Sequence, residues 1–160
     1  MATVNLSDYQ PLQINDASSF RIGIVVSEWN DFVTFNLRNG ALEVLKKEGV
    51  KEENIKVFQV PGAFELNYAS MQLCKTKYFD AIIAIGCVIR GETSHFDYVC
   101  SAVAQGIKDC NILTDVPTIF CLLTDDTKEQ SIARSGGALG NKGVEAAVTA
   151  LQMIDFKRNL

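Results

Sequence analysis

From residue 21 onward the chain alternates between two apolar patterns. Residues 22–26, 55–60, 81–89 and 118–123 are short runs rich in β-branched side chains. Three of the four lack polar alternation, which is how strands covered on both faces read. Between them lie stretches with helical spacing. Leu37, Ala41, Val44 and Leu45 share one face, and Gly49 follows where a helix C-terminus takes a left-handed residue. Leu66, Ala69, Leu73 and Cys74 repeat that spacing after Pro61, a residue suited to opening a helix. Residues 98–113 predict a third helix and 144–156 a last one, with a short helical turn at 129–134 before it.

The predicted order is therefore β-α-β-α-β-α-β-α-α. Strands separated by helices of this length imply right-handed crossovers, hence an α/β fold: a three-layer, flavodoxin-like sandwich with helices on both faces of a parallel sheet. Four strands predict the order 2-1-3-4. One domain is expected over residues 1–160, with residues 1–20 as an N-terminal arm that adds an edge strand. That arm is polar and mixed, without an apolar run fit to span a membrane or be cleaved. The longest apolar stretch, 81–89, holds a glycine and ends at Arg90, so it reads as a strand.

Composition narrows the function classes. With 160 residues, 48% of them apolar and 21% charged, the chain is an ordinary globular one rather than a disordered one. A net charge of −4 offers no clustered positive face for nucleic acid. Cys74, Cys87, Cys100, Cys110 and Cys121 are odd in number and contain no C-x-x-C pair, and the chain has a single histidine. These counts argue against a disulfide framework and a metal site, and read as reduced thiols in a cytoplasmic protein.

The strand order also predicts where chemistry sits. Ligands of open α/β sheets bind beyond the carboxyl ends of the strands, where the winding reverses, here between the first and third strands. The segments leaving those strands, Ser27-Glu28-Trp29-Asn30-Asp31 and Arg90-Gly91-Glu92-Thr93-Ser94-His95, carry the sole Trp and the sole His of the chain. Ser94 followed by Asp97 fits a helix-opening capping box, which puts His95 in the first helical turn. There the free backbone N–H groups favour an anion on residues 91–93, and the positive helix end favours a neutral, proton-accepting imidazole. A surface histidine behind an ordinary cap is the plainer alternative. Trp29 offers a flat face for a heterocycle, or simply covers the sheet edge. Glu65 serves polyol hydroxyls, or only the helix dipole. Residues 134–143 are glycine-dense between two helices, lack the Walker spacing, and read as a tight turn that Arg134 and Lys142 flank. The adjacent Asp125 and Asp126 do not bracket a substrate bond, no G-x-S-x-G elbow is present, and Cys87 within the third strand is expected to be buried and inert.

Residues 60–65 (Val-Pro-Gly-Ala-Phe-Glu), 86–100 (Gly-Cys-Val-Ile-Arg-Gly-Glu-Thr-Ser-His-Phe-Asp-Tyr-Val-Cys) and 140–143 (Gly-Asn-Lys-Gly) resemble, in order and spacing, the signatures of the 6,7-dimethyl-8-ribityllumazine synthase family. The likeness runs from about residue 21 to 154. It implies the penultimate step of riboflavin biosynthesis: 5-amino-6-(D-ribitylamino)uracil condenses with 3,4-dihydroxy-2-butanone 4-phosphate, releasing phosphate and water, without metal or organic cofactor. It further implies an arm strand paired with a neighbouring subunit, pentamers that in many members close into shells of sixty, and association with riboflavin synthase. By position, His95 moves protons, and Trp29, where many members carry Phe, stacks on the pyrimidine. Ala63, Phe64 and Glu65 bind the ribityl-pyrimidine, Cys87, Val88 and Ile89 contact it through backbone, and Glu92 and Thr93 hold phosphate. Phe120 and Arg134 come from the adjacent subunit, and Lys142 adds positive charge nearby. Cys87 and Ser94 depart from the usual residues at positions where backbone and cap matter more than side-chain chemistry.

Two other classes are weighed against this one. A flavin- or lumazine-carrying protein would use the broad Trp29 ring without turnover. A receiver-like signalling module would need clustered acids after the first strand and a phospho-accepting Asp after the third, where Arg90-Gly91 stands instead.

Overall fold

The computed structural model describes residues 5, 7–14 and 16–160. Four parallel strands, β1 (Ile22–Ser27), β2 (Ile55–Val60), β3 (Ala81–Ile89) and β4 (Thr118–Asp125), lie in the order β2-β1-β3-β4, as the alternating pattern predicts. Helices α1 (Asp31–Lys47), α2 (Leu66–Lys75), α3 (His95–Thr114), α4 (Lys128–Arg134) and α5 (Lys142–Arg158) complete three layers.

The unbroken apolar runs are explained by two cores that share the same strands. Alternate side chains of a strand point to opposite faces. Ile22, Ile24 and Val26 of β1, with Ile83 and Ile85 of β3, therefore enter the core formed with Leu37 of α1 and Leu151 of α5. Val25, Ile82 and Ala84 enter the opposite core with Leu66 of α2 and Ile107 of α3. At the sheet margin β2 has no second neighbouring strand among the described residues, and its Val57 and Phe58 stay exposed.

Helix α1 ends where Gly49 predicts. Gly49 has φ 91° and its N–H donates to Lys46 O at 3.1 Å, while Val50 N–H donates to Leu45 O at 2.9 Å. This paired return satisfies carbonyls that the last turn would leave open. Three expectations are corrected. Pro61 does not open α2: residues 61–65 turn first, and Glu65 is the N-cap residue before Leu66. Helix α3 begins at His95, ahead of the predicted 98. The glycine-dense segment is not a bare helix-to-helix turn but a small antiparallel hairpin of β5 (Ser135–Gly137) and β6 (Gly140–Asn141).

The arm shows no strand among its described residues. Tyr9, Leu12 and Ile14 pack against the α1–α5 core, and the Tyr9 hydroxyl donates to Glu48 Oε1 at 2.9 Å. Ser7 Oγ donates to Asn141 O at 3.0 Å, which ties this part of the arm to β6 of its own chain. The part of the expected arm strand at residues 1–4, 6 and 15 lies outside the described residues. Among the described residues no helix is long and apolar enough to cross a membrane.

Candidate functional site

The carboxyl edge of β2, β1 and β3 gathers the first set of predicted site residues. Past β1, Glu28 N–H donates to Val60 O at 2.9 Å and Trp29 N–H to Pro61 O at 3.0 Å, which fastens the Trp29 turn to the segment leaving β2. Trp29 is 67% exposed and its ring lies against Gly62. The next residue, Asn30, sits at φ 61°, a conformation Asn tolerates, and its Nδ2 donates to Cys87 O at 3.0 Å. The turn after β1 is thus tied to both neighbouring strands. Ala63 is buried beneath this edge, and Phe64 projects from it. Glu65 Oε2 accepts from Gly62 N–H at 3.0 Å, which leaves its other oxygen without a partner among the described residues.

Beyond β3, the segment Glu92, Thr93 and His95 is exposed. Thr93 Oγ1 accepts from His95 N–H at 3.4 Å. The expected capping box is absent: Ser94 occupies the N-cap position without a side-chain bond to the helix. Its intended partner Asp97 is taken by Arg90, whose Nη2 and Nη1 donate to the two carboxylate oxygens at 3.0 and 3.3 Å. A two-pronged charged contact outcompetes the single bond that the Ser94 backbone N–H would donate to that carboxylate. Arg90 also donates through Nε to Asp126 Oδ1 at 2.7 Å and lies over the Phe96 ring at 4.0 Å. Hydrogen bonds to Asp97 and Asp126 hold this guanidinium above its usual pKa. Within β3, burial pushes the Cys87 thiol up to about 11, which supports the expectation of an inert thiol, and Val88 and Ile89 are half-buried beside it.

A second set of residues meets elsewhere. Phe120, 46% exposed on the terminal strand β4, joins Arg134 and Lys142 in a groove of about 620 Å³ between β4 and α5. Neither cation stands alone: Arg134 Nη1 donates to Asp125 Oδ1 at 2.5 Å, and Lys142 Nζ pairs with Glu145 Oε1 at 2.7 Å. Helix α4, which delivers Arg134, is opened by a reciprocal cap in which Gln130 N–H donates to Thr127 Oγ1 and Thr127 N–H to Gln130 Oε1.

The predicted residues therefore fall into two groups. Trp29, Ala63, Phe64, Glu65, Cys87, Val88, Ile89, Glu92, Thr93 and His95 share the carboxyl edge of β2, β1 and β3. Phe120, Arg134 and Lys142 line the β4 groove. Asn30, Arg90, Asp125 and Ser131 were not foreseen. The positive-φ tolerance of Asn was the one local signal for Asn30, while the partners of the other three are separated in sequence and set only by the fold. Among the described residues no group of three or more His, Cys, Asp or Glu is arranged to hold a metal ion.

Comparison with known proteins adds a finding of a different kind. A family profile described as 6,7-dimethyl-8-ribityllumazine synthase matches residues 19–158. The chain is similar to a protein of that name from Parabacteroides distasonis, 55% identical over 98% of this chain and 99% of the relative. It is similar to another from Phocaeicola vulgatus, 52% identical over 100% of this chain and 96% of the relative. A third, from Flavobacterium psychrophilum, is 54% identical over 95% of this chain and 80% of the relative.

Proposed function

The chain belongs to the 6,7-dimethyl-8-ribityllumazine synthase family, and from that premise we propose that it is the transferase that condenses 5-amino-6-(D-ribitylamino)uracil with 3,4-dihydroxy-2-butanone 4-phosphate. The products are 6,7-dimethyl-8-ribityllumazine, phosphate and water, and the reaction serves riboflavin biosynthesis. The protein acts in the cytoplasm without metal or organic cofactor.

The observation that carries this reading is the division of the site. One group of residues suits a ribityl-pyrimidine and a proton acceptor, the other supplies an aromatic wall and a guanidinium, and each lies at its own part of the sheet. Two copies in a ring, the β4 groove of one against the Trp29 edge of the next, bring the groups together. A homopentamer is the assembly we propose, with a shell of sixty and association with riboflavin synthase as further levels.

In the joined site Trp29 stacks on the pyrimidine, while Ala63, Phe64 and the backbone of Cys87, Val88 and Ile89 form its pocket. The free oxygen of Glu65 accepts from ribityl hydroxyls. Glu92 and Thr93 hold the phosphate together with the neighbour's Arg134, and Lys142 lends charge. A Cβ at Gly91 would meet no atom of the described residues within 4 Å, so the space beside this backbone is open to a ligand. The amine adds to the ketone and water leaves to give an imine, His95 takes the proton from the carbon beside it, phosphate leaves by elimination from the next carbon, and the second amine attacks the remaining carbonyl and closes the ring with loss of a second water. Because both reactants are chemically competent, holding them in register supplies the larger share of catalysis, about 7–11 kcal/mol. Proton transfer by His95 adds about 10²–10⁴-fold.

The test is to mix the protein with both substrates and follow the lumazine chromophore, with light scattering for particle size. Appearance of the chromophore at a rate above the uncatalysed mixture supports the reading. A yellow protein without turnover makes it a lumazine or flavin carrier instead.

A further inference from the structure

We propose that Asp125 is a positioning residue: it fixes the guanidinium of Arg134 for the phosphate of the ketone substrate, and Ser131 fixes Asp125 in turn. This rests on the reading of Arg134 given above.

Asp125 closes β4 and is only 5% exposed. A carboxylate taken this far from water is costly unless its oxygens are occupied. Both are. Oδ1 accepts from Arg134 Nη1 at 2.5 Å, and Oδ2 accepts from Ser131 Oγ at 2.8 Å. Ser131 is fully buried, and its hydroxyl in turn accepts from Cys87 Sγ at 3.5 Å. The chain of contacts therefore runs from β3 through α4 to the end of β4, and every member is held by packing rather than by solvent-exposed side chains.

Arg134 is built differently from a free surface arginine. Its guanidinium carries five N–H donors in a rigid plane. Asp125 engages one nitrogen, while the side chain retains 21% exposure toward the groove shared with Phe120 and Lys142. An unheld arginine gives up rotamer freedom when it binds an oxyanion. Here the contact with Asp125 supplies part of that ordering before any ligand arrives, which favours binding. The carboxylate also partly offsets the positive charge, so orientation and electrostatics pull phosphate affinity in opposite directions. We assign the larger effect to orientation, because Arg134 offers directional donors to a phosphate and Lys142, already paired with Glu145, adds little uncompensated charge.

The test varies each substrate separately in steady state and uses inorganic phosphate as a competitive probe, on the assembled protein. Asp125→Asn keeps the shape and removes the charge. It is expected to raise both the KM for the phosphorylated ketone and the inhibition constant for inorganic phosphate about tenfold, the size of one charge-assisted hydrogen bond. The KM for the pyrimidine stays unchanged. Ser131→Ala, which deletes a single hydrogen bond, moves the same two constants in the same direction by about threefold. In an Arg134→Ala background, Asp125→Asn adds nothing, since its effect passes through the guanidinium. Equal changes in both KM values, or tighter phosphate inhibition in Asp125→Asn, would overturn the proposal. If Asp125→Asn does not fold, an unchanged phosphate constant in Ser131→Ala overturns it as well. Unchanged phosphate inhibition in Arg134→Ala itself sinks the underlying reading, whereas an effect of Arg134→Ala with none from Asp125→Asn sinks this inference alone.

Discussion

The six-membered edge of Trp29 rests directly on Gly62: a Cβ at position 62 would stand 2.5 Å from Cε3 and 2.6 Å from Cζ3. The same Cβ would come within 3.1 Å of Glu65 Oε2, which already accepts from Gly62 N–H. One glycine thus sets both the ring assigned to the pyrimidine and the carboxylate assigned to the ribityl chain.

Gly62→Ala is therefore expected to push the indole aside. Because Trp29 is the sole tryptophan, its fluorescence emission reports the movement directly. The emission maximum shifts and the KM for the pyrimidine rises about tenfold, as when a well-placed contact of about 1.4 kcal/mol is lost. An unchanged spectrum with an unchanged KM would contradict the assignment.

His95→Ala is expected to retain measurable turnover. Positioning of two competent reactants survives the loss of the imidazole, so kcat falls by about 10²–10⁴-fold and no further. A rapid-mixing assay of lumazine formation checks this. Turnover indistinguishable from the uncatalysed mixture, in a protein that melts normally, would give the imidazole a larger part than proton transfer.

Arg90→Gln separates stability from activity. Its ion pairs with Asp97 and Asp126 are exposed and solvent-screened, and contacts of that kind contribute little to stability. Yet they fasten the start of α3, and with it Glu92, Thr93 and His95, to the end of β4. The melting temperature is expected to move little, while kcat/KM for the phosphorylated ketone falls about tenfold. A large drop in melting temperature with unaltered kinetics would reverse that ranking.

Alkaline pH is expected to destabilise the fold through two buried thiols. Burial raises Cys87 from near 9 to about 11 and Cys121 to about 12. Below pH 9 the folded and unfolded chains hold these protons equally. Above it the unfolded chain releases them first, so stability declines from pH 9 up to about 11 for Cys87 and about 12 for Cys121. Each thiol contributes a slope of about 1.4 kcal/mol per pH unit in its window. Urea midpoints measured against pH, for the natural chain and for Cys87→Ala, test this. An equal slope in the two chains between pH 9 and 11 would rule out the Cys87 contribution.

The sheet was legible because its cause is local. Runs such as residues 81–89, apolar on both faces, can be buried only in a strand flanked by helices, and the alternation of helix and strand then restricts the order. Gly49 was legible for the same reason, since the left-handed cap is a property of one residue. Ser94 misled because the capping box is also a local reading, and a residue outside the window, Arg90, competes for Asp97. The hairpin at Ser135–Asn141 misled because glycine suits a tight turn and a short antiparallel pair equally. At the candidate site, the unique Trp29 and His95 could be picked out from strand order, whereas the contacts of Arg134 with Asp125, and of Asp125 with Ser131, exist only once β4 and α4 are packed.

The β4 groove is lined by Arg134 and Lys142 and not by His95, which has a genetic corollary. In the ring proposed above, each centre would draw its imidazole from one chain and its guanidinium from the next. A cell carrying two defective alleles, one His95→Ala and one Arg134→Ala, would then build mixed rings in which roughly one centre in four inherits both intact groups. Co-expression should give turnover well above the residual level of either variant alone, and separately purified rings, once mixed, should show no such gain until they are dissociated and reassembled together.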